Sequence, residues 1–103
     1  MKYGLRQSDL NLIMEAIRYF PEIKEVILFG SRAKGNFAPG SDVDLAVKGK
    51  NVTDKTVTSL SIHLNEEMPL PYFFDVIHYE GIHEPLLTEH INRVGCVLFI
   101  LES

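Results

Sequence analysis

The chain has 103 residues, 46% of them hydrophobic, enough for one core that removes roughly 60–70% of the unfolded surface from water. Its formal net charge of −4 disfavours a protein whose main task is gripping long nucleic acid, because that affinity comes from lysines and arginines neutralising phosphates. Cys96 is the single cysteine, which excludes an intramolecular disulfide, a cysteine zinc cluster and a CxxC redox pair. The N-terminal stretch carries no apolar core of secretory length, and no run approaches the ~20 apolar residues of a membrane span, so a cytoplasmic location is expected.

In chain order, Ser8 is placed to cap a first helix whose apolar stripe is Leu10, Ile13, Met14, Ile17 and Phe20, before Pro21 interrupts. Val26 to Phe29 is continuously apolar, as in a strand covered on both faces at the centre of a sheet. Gly30-Ser31 ends it, Arg32 to Lys34 fit one helical turn, and Gly35 to Gly40 is loop. From Asp42 to Lys48 the chain alternates: Val43, Leu45 and Val47 face one way, and Asp42, Asp44, Ala46 and Lys48 the other. A second helical pattern follows in Val57, Leu60, Leu64 and Met68, ending near Pro69 and Pro71. Tyr72 to His78 reads as a third strand, with Asp75 sharing a face with Phe73 and Ile77. Pro85 opens a last helix striped by Leu87, Ile91 and Val94, for which Gly95 supplies a left-handed stop, and Val97 to Leu101 is a closing strand. No repeat or linker divides the chain, so residues 1–103 are expected to form a single α/β or α+β domain.

Asp42 and Asp44, two apart on one strand, project from the same face and repel unless a cation neutralises them. Magnesium suits such a pair, since it takes oxygen ligands from one or two carboxylates, water and substrate phosphates. With Asp75 from a neighbouring strand, three carboxylates can hold two ions roughly 4 Å apart around one reacting phosphorus. Taken singly, an Asp-x-Asp also describes a solvated strand edge, and Asp75 also describes a buried carboxylate paired with a base. At Gly30-Ser31 a sharp turn exposes backbone donors above the strand end, a natural seat for phosphate oxygens, although a plain strand-to-helix turn has the same composition. Arg32 and Lys34 are secondary candidates for phosphate contact.

Gly30-Ser31-Arg32-Ala33-Lys34-Gly35 followed by Ser41-Asp42-Val43-Asp44-Leu45 resembles the nucleotidyltransferase signature of the DNA polymerase beta superfamily. Asp75 falls on the later strand where that family's third carboxylate is expected. The resemblance spans essentially the whole chain and is closest to the minimal nucleotidyltransferases, which are often paired with a helical HEPN-type partner. It implies a central mixed sheet flanked by helices. Asp42 and Asp44 would ligate both of two Mg2+ ions. Asp75 would ligate the catalytic one and act as base toward the attacking hydroxyl, and Gly30, Ser31 and Arg32 would hold ATP. The implied activity is transfer of AMP to a hydroxyl. By analogy with related systems the acceptor is a tyrosine of a HEPN-type toxin, with this chain as the antitoxin. Larger members carry a helical domain that clamps the base or presents the acceptor, so a partner chain or a second copy is expected to complete the cleft here.

Other residues carry weaker signals. His63, His78, His83 and His90 show no zinc-site spacing. Cys96 reads as an inert buried thiol. Tyr72, Phe73 and Phe74 read as sheet packing, leaving Phe37 as the exposed aromatic able to meet a base. Two rival functions stay open at this point: a module that neutralises its partner by contact alone, and nucleotidyl transfer to a small molecule or an RNA end.

Overall fold

The computed structural model describes residues 1–101, in which the elements run α1 (Gln7–Ile17), β1 (Glu25–Phe29), α2 (Gly30–Lys34), β2 (Val43–Lys48), α3 (Asp54–Ile62), β3 (Phe74–His78), α4 (Pro85–Val94) and β4 (Cys96–Ile100). α3 continues into a π-helical turn, His63–Glu67, and a 3₁₀ turn, Tyr79–Gly81, follows β3. The four strands form one mixed sheet in the order β3-β2-β1-β4. β1 runs antiparallel to both β2 and β4, while β2 and β3, joined through α3, are parallel.

β1 is central, as its unbroken apolar run predicts, and everything in it after Glu25 is buried. Alternation sends its side chains into two different cores. Val26 and Leu28 join Val43, Leu45 and Val47 beneath α1 and α3, with Ile13, Ile17, Val57 and Leu60. Ile27 and Phe29 join Ala46 and Ile91 beneath α4. Ala46, placed by the sequence on an open face beside Asp44, is therefore fully buried: Ile91 of α4 covers it.

Several boundaries differ from the sequence reading, each for a local reason. α1 begins at Gln7, because Arg6 occupies the cap position and donates its N–H to Asp9 Oδ2 at 3.0 Å; Ser8 is left exposed on the first turn. β2 starts at Val43, whose N–H is taken by the carbonyl of Phe73 at 2.9 Å, so Asp42 stands just ahead of the strand. β3 likewise starts at Phe74 rather than Tyr72, and β4 at Cys96. Gly95 is extended, with φ −63° and ψ 145°, not left-handed. What it supplies is room, since a Cβ there would strike Ile91 O and come within 2.5 Å of Ile27 Cγ2. No described helix is long and apolar enough to cross a membrane.

Candidate active site

The register lines up Phe29, Asp44 and Asp75 as partners across β1, β2 and β3. The two aspartates thus come from strands that neighbour each other in space while lying about thirty residues apart in sequence. Asp75 is exposed and Asp44 half-buried. Asp44 accepts no hydrogen bond from any described side chain, and its carboxyl is pushed above the usual carboxylate range, first by burial and then by the charges of Asp75 and Asp42. Asp42, exposed at the entrance to β2, is thereby close enough to act on Asp44 although it is outside the strand.

Gly30 fixes where the Asp44 carboxylate lies. Its φ of +74° is in the left-handed region, and a Cβ at that position would run into Asp44 Oδ2. Backbone and carboxylate are therefore packed together at the point where β1 turns into α2. The first N–H groups of α2, those of Gly30 and Ser31 among them, have no acceptor within the helix, and Gly30 itself packs against this carboxylate. Among the described residues no three His, Cys, Asp or Glu side chains close into a ready-made ligand cluster, so the aspartates form an open row. Their chemistry fits a hard dication: the donors are carboxylate oxygens, they repel one another, and the most buried of them is held at an unfavourable charge.

Arg32 does not reach toward this row, contrary to its expected place among the phosphate contacts. It is 2% exposed and its guanidinium is committed to backbone carbonyls: Nε and Nη2 donate to Ser41 O at 3.1 and 2.8 Å, and Nη1 donates to Tyr3 O at 2.9 Å. Aromatic faces close over it, Phe37 at 5.0 Å and Tyr72 at 5.1 Å. Phe37 is thus a lid on an arginine rather than a free base-stacking ring, and Phe73, 61% exposed, is the ring of its trio that the packing leaves out. By holding Ser41, Arg32 sets the chain immediately before Asp42. Tyr72 extends this support, donating from Oη to Asp9 at 2.7 Å.

A second anchor escaped the sequence reading. Asn65, on the π-helical turn after α3, accepts from Phe74 N at 2.8 Å and donates to Phe74 O at 3.0 Å. The side chain thereby acts as one residue of an extra strand along the free edge of β3 and pins the residue just before Asp75. Asn65 lies inside the π turn, which rotates its side chain relative to the register of α3.

His63 pairs with Glu67, and His78 lies 3.5 Å from both Asp54 and Glu80. Cys96 is partly exposed rather than buried, with Sγ 3.8 Å from Val94 O.

Over residues 11–102 the sequence matches the family described as Polymerase beta, Nucleotidyltransferase. No curated protein matches it significantly. Several solved structures share the fold. A chain in the crystal structure of a toxin–antitoxin with AMP-PNP is 22% identical, with a TM-score of 0.74, over 90% of this chain and 74% of that one. A chain from the complex of tri-AMPylated Shewanella oneidensis HEPN toxin with MNT antitoxin is 20% identical, with a TM-score of 0.71, over 94% and 74%. A putative nucleotidyltransferase from Sulfolobus solfataricus is 18% identical, with a TM-score of 0.52, over 97% and 89%.

Proposed function

The chain belongs to the polymerase beta nucleotidyltransferase family, and on that premise we propose that residues 1–103 act as one domain that moves AMP from ATP to the hydroxyl of a protein, a tyrosine of a HEPN-type toxin. The observation that carries the reading is the row itself: Asp44 in register with Asp75, with the backbone of Gly30 packed against the Asp44 carboxylate. In this reading Asp42 and Asp44 would hold two magnesium ions, and Asp75 would join them as a ligand to one. When bound, the ions supply charge neutralisation at the phosphates and at the entering and leaving oxygens. Gly30 and Ser31 present their N–H groups to the triphosphate. The acceptor oxygen forms its bond to the α-phosphorus as the bond to the bridging oxygen breaks, pyrophosphate leaves with that oxygen, and Asp75 takes the hydroxyl proton. Such a transfer asks mainly for in-line placement and fixed charges, and no covalent enzyme intermediate is required.

The protein acceptor is favoured by the solved neighbours, which include an antitoxin beside an AMPylated HEPN toxin and a toxin–antitoxin with an ATP analogue. Such a pair would work in the cytoplasm, where ATP and magnesium are plentiful. The test is to incubate the protein, or Asp44→Asn, with α-phosphate-labelled ATP, magnesium and an extract of its native host. Label on one discrete protein with the wild type alone is the expected result. If neither form labels anything while both hold the same partner, the domain neutralises by contact and the catalytic reading is wrong.

A further inference from the structure

We propose that His90 contacts the triphosphate of the bound nucleotide, its imidazole donating a hydrogen bond to a phosphate oxygen; this rests on the nucleotidyltransferase reading above. Phe29, Asp44 and Asp75 stand in one row across three strands. By alternation they share a sheet face with Ile27, Ala46 and Ile77, the face on which Ile91 of α4 packs. α4 lies over β1 on that face and packs against α2. It forms a wall beside the row, and His90 is the side chain of that wall that meets it. The His90 ring stands edge-on to Phe29, with centroids 6.3 Å apart and planes at 82°. Phe29 is the register partner of Asp44 on the adjacent strand and the residue immediately before Gly30, so the imidazole stands against the β1 end of the row.

His90 is half-buried and makes no hydrogen bond or ion pair among the described residues. The imidazole nitrogens sealed from solvent without a partner belong to His63 and His78, so those of His90 are open to a ligand. Of the cations near the Gly-Ser turn, Lys34 is exposed on α2 and has no partner among the described side chains, so it shares the role. Arg32, the other cation of that turn, is consumed by Ser41 O and Tyr3 O, and Arg93 on α4 faces Glu89 at 3.8 Å. A triphosphate presents more acceptor oxygens than the first turn of α2 can satisfy, and donors aimed at charged oxygens form the stronger class of hydrogen bond. An unpartnered donor on α4, against Phe29 of the row, meets that need.

The test uses the full chain with AMP-PNP and magnesium as the probe, and compares wild type, His90→Phe and His90→Arg. Phenylalanine keeps a ring against Phe29 and removes both nitrogens, whereas arginine restores a donor. Calorimetric Kd is expected to rise roughly ten-fold in His90→Phe, with KM for ATP rising alongside and little change in kcat at saturation, and to recover in His90→Arg. The thermal midpoint of His90→Phe should stay at the wild-type value. His90→Phe binding as tightly as the wild type overturns the inference, as does a loss that His90→Arg shares along with a lowered thermal midpoint, which would mark a packing role. A wild-type chain that binds no AMP-PNP overturns the parent reading along with this one, whereas wild-type binding unaffected by either substitution overturns this one alone.

Discussion

Asp9 is 1% exposed and accepts hydrogen bonds from Tyr72 Oη at 2.7 Å, the Arg6 N–H at 3.0 Å and the Arg6 guanidinium at 3.1 Å, while Asp44, more open to solvent, meets two other carboxylates and no described side-chain donor. Burial pushes both carboxyls up. At Asp9 the bonds from Arg6 and Tyr72 outweigh burial and hold it below its ordinary range. At Asp44 the charges of Asp75 and Asp42 add to burial, and it stays raised. Depth alone does not separate a structural carboxylate from a reactive one; what separates them is whether the protein has answered the charge. Asp9 has been answered by the fold, whereas no described side chain answers Asp44.

The contrast is tested first at Asp44. Asp44→Asn is expected to reduce nucleotidyl transfer on the order of 10³-fold, measured with labelled ATP, yet to raise the thermal midpoint of the metal-free chain at neutral pH. A carboxyl raised by folding contributes stability that is present below its unfolded pKa and lost as pH rises through the folded one. The advantage of the variant should therefore fade as pH is lowered through that range. Magnesium should stabilise the wild type and not the variant; a midpoint that falls on substitution would break the comparison.

Arg32→Lys should cost about 3 kcal/mol of stability, read by chemical denaturation, because an ammonium cannot span Ser41 O and Tyr3 O or lie flat between Phe37 and Tyr72. Affinity for ATP in the folded fraction should hardly move, and a variant that folds normally but loses ATP would return Arg32 to the phosphate. Asp9→Asn should cost about 2 kcal/mol at neutral pH with transfer retained. Here the sign is reversed: a carboxyl lowered by folding contributes stability above its unfolded pKa that is lost as pH falls through the folded one, so wild type and variant should converge in acid. The smallest effect is expected at Asn65→Leu, where amide exchange at Phe74 should quicken roughly ten-fold, a change of about 1.4 kcal/mol in local opening.

The parts of this site that were legible in the sequence are those fixed by neighbours along the chain. The apolar run at Val26 to Phe29 announces a buried strand, and Gly30-Ser31 and Asp42-x-Asp44 follow it at a spacing that one turn and one loop can close. The parts that were not legible depend on segments that meet only after folding. Nothing beside Arg32 says that Tyr3, Phe37, Ser41 and Tyr72 will enclose it, and beside a Gly-Ser turn an arginine reads as a free cation. Asn65 sits in a polar stretch, and its aim depends on a π turn that no local pattern records. Asp9 carries no signal in the sequence, because an acidic residue in a first helical turn is unremarkable until Tyr72 arrives from 63 positions away. Gly95 had the right residue type for a left-handed stop, and the reason for it was instead the closeness of Ile27.

β3 is an edge strand, paired on one side only and with a partner far away in sequence. Strands of that kind close late during folding and open early under stress, since a long loop must be organised before their contacts repay it. Asp75 rides on this strand while Asp42 and Asp44 stand at the head of the one inside it. On warming, Asp75 should leave the row while the inner β1–β2 pair that carries Asp44 is intact. Catalytic competence would then end several degrees before the cooperative melt, and the lifetime of activity would be a property of one strand's attachment rather than of the whole domain.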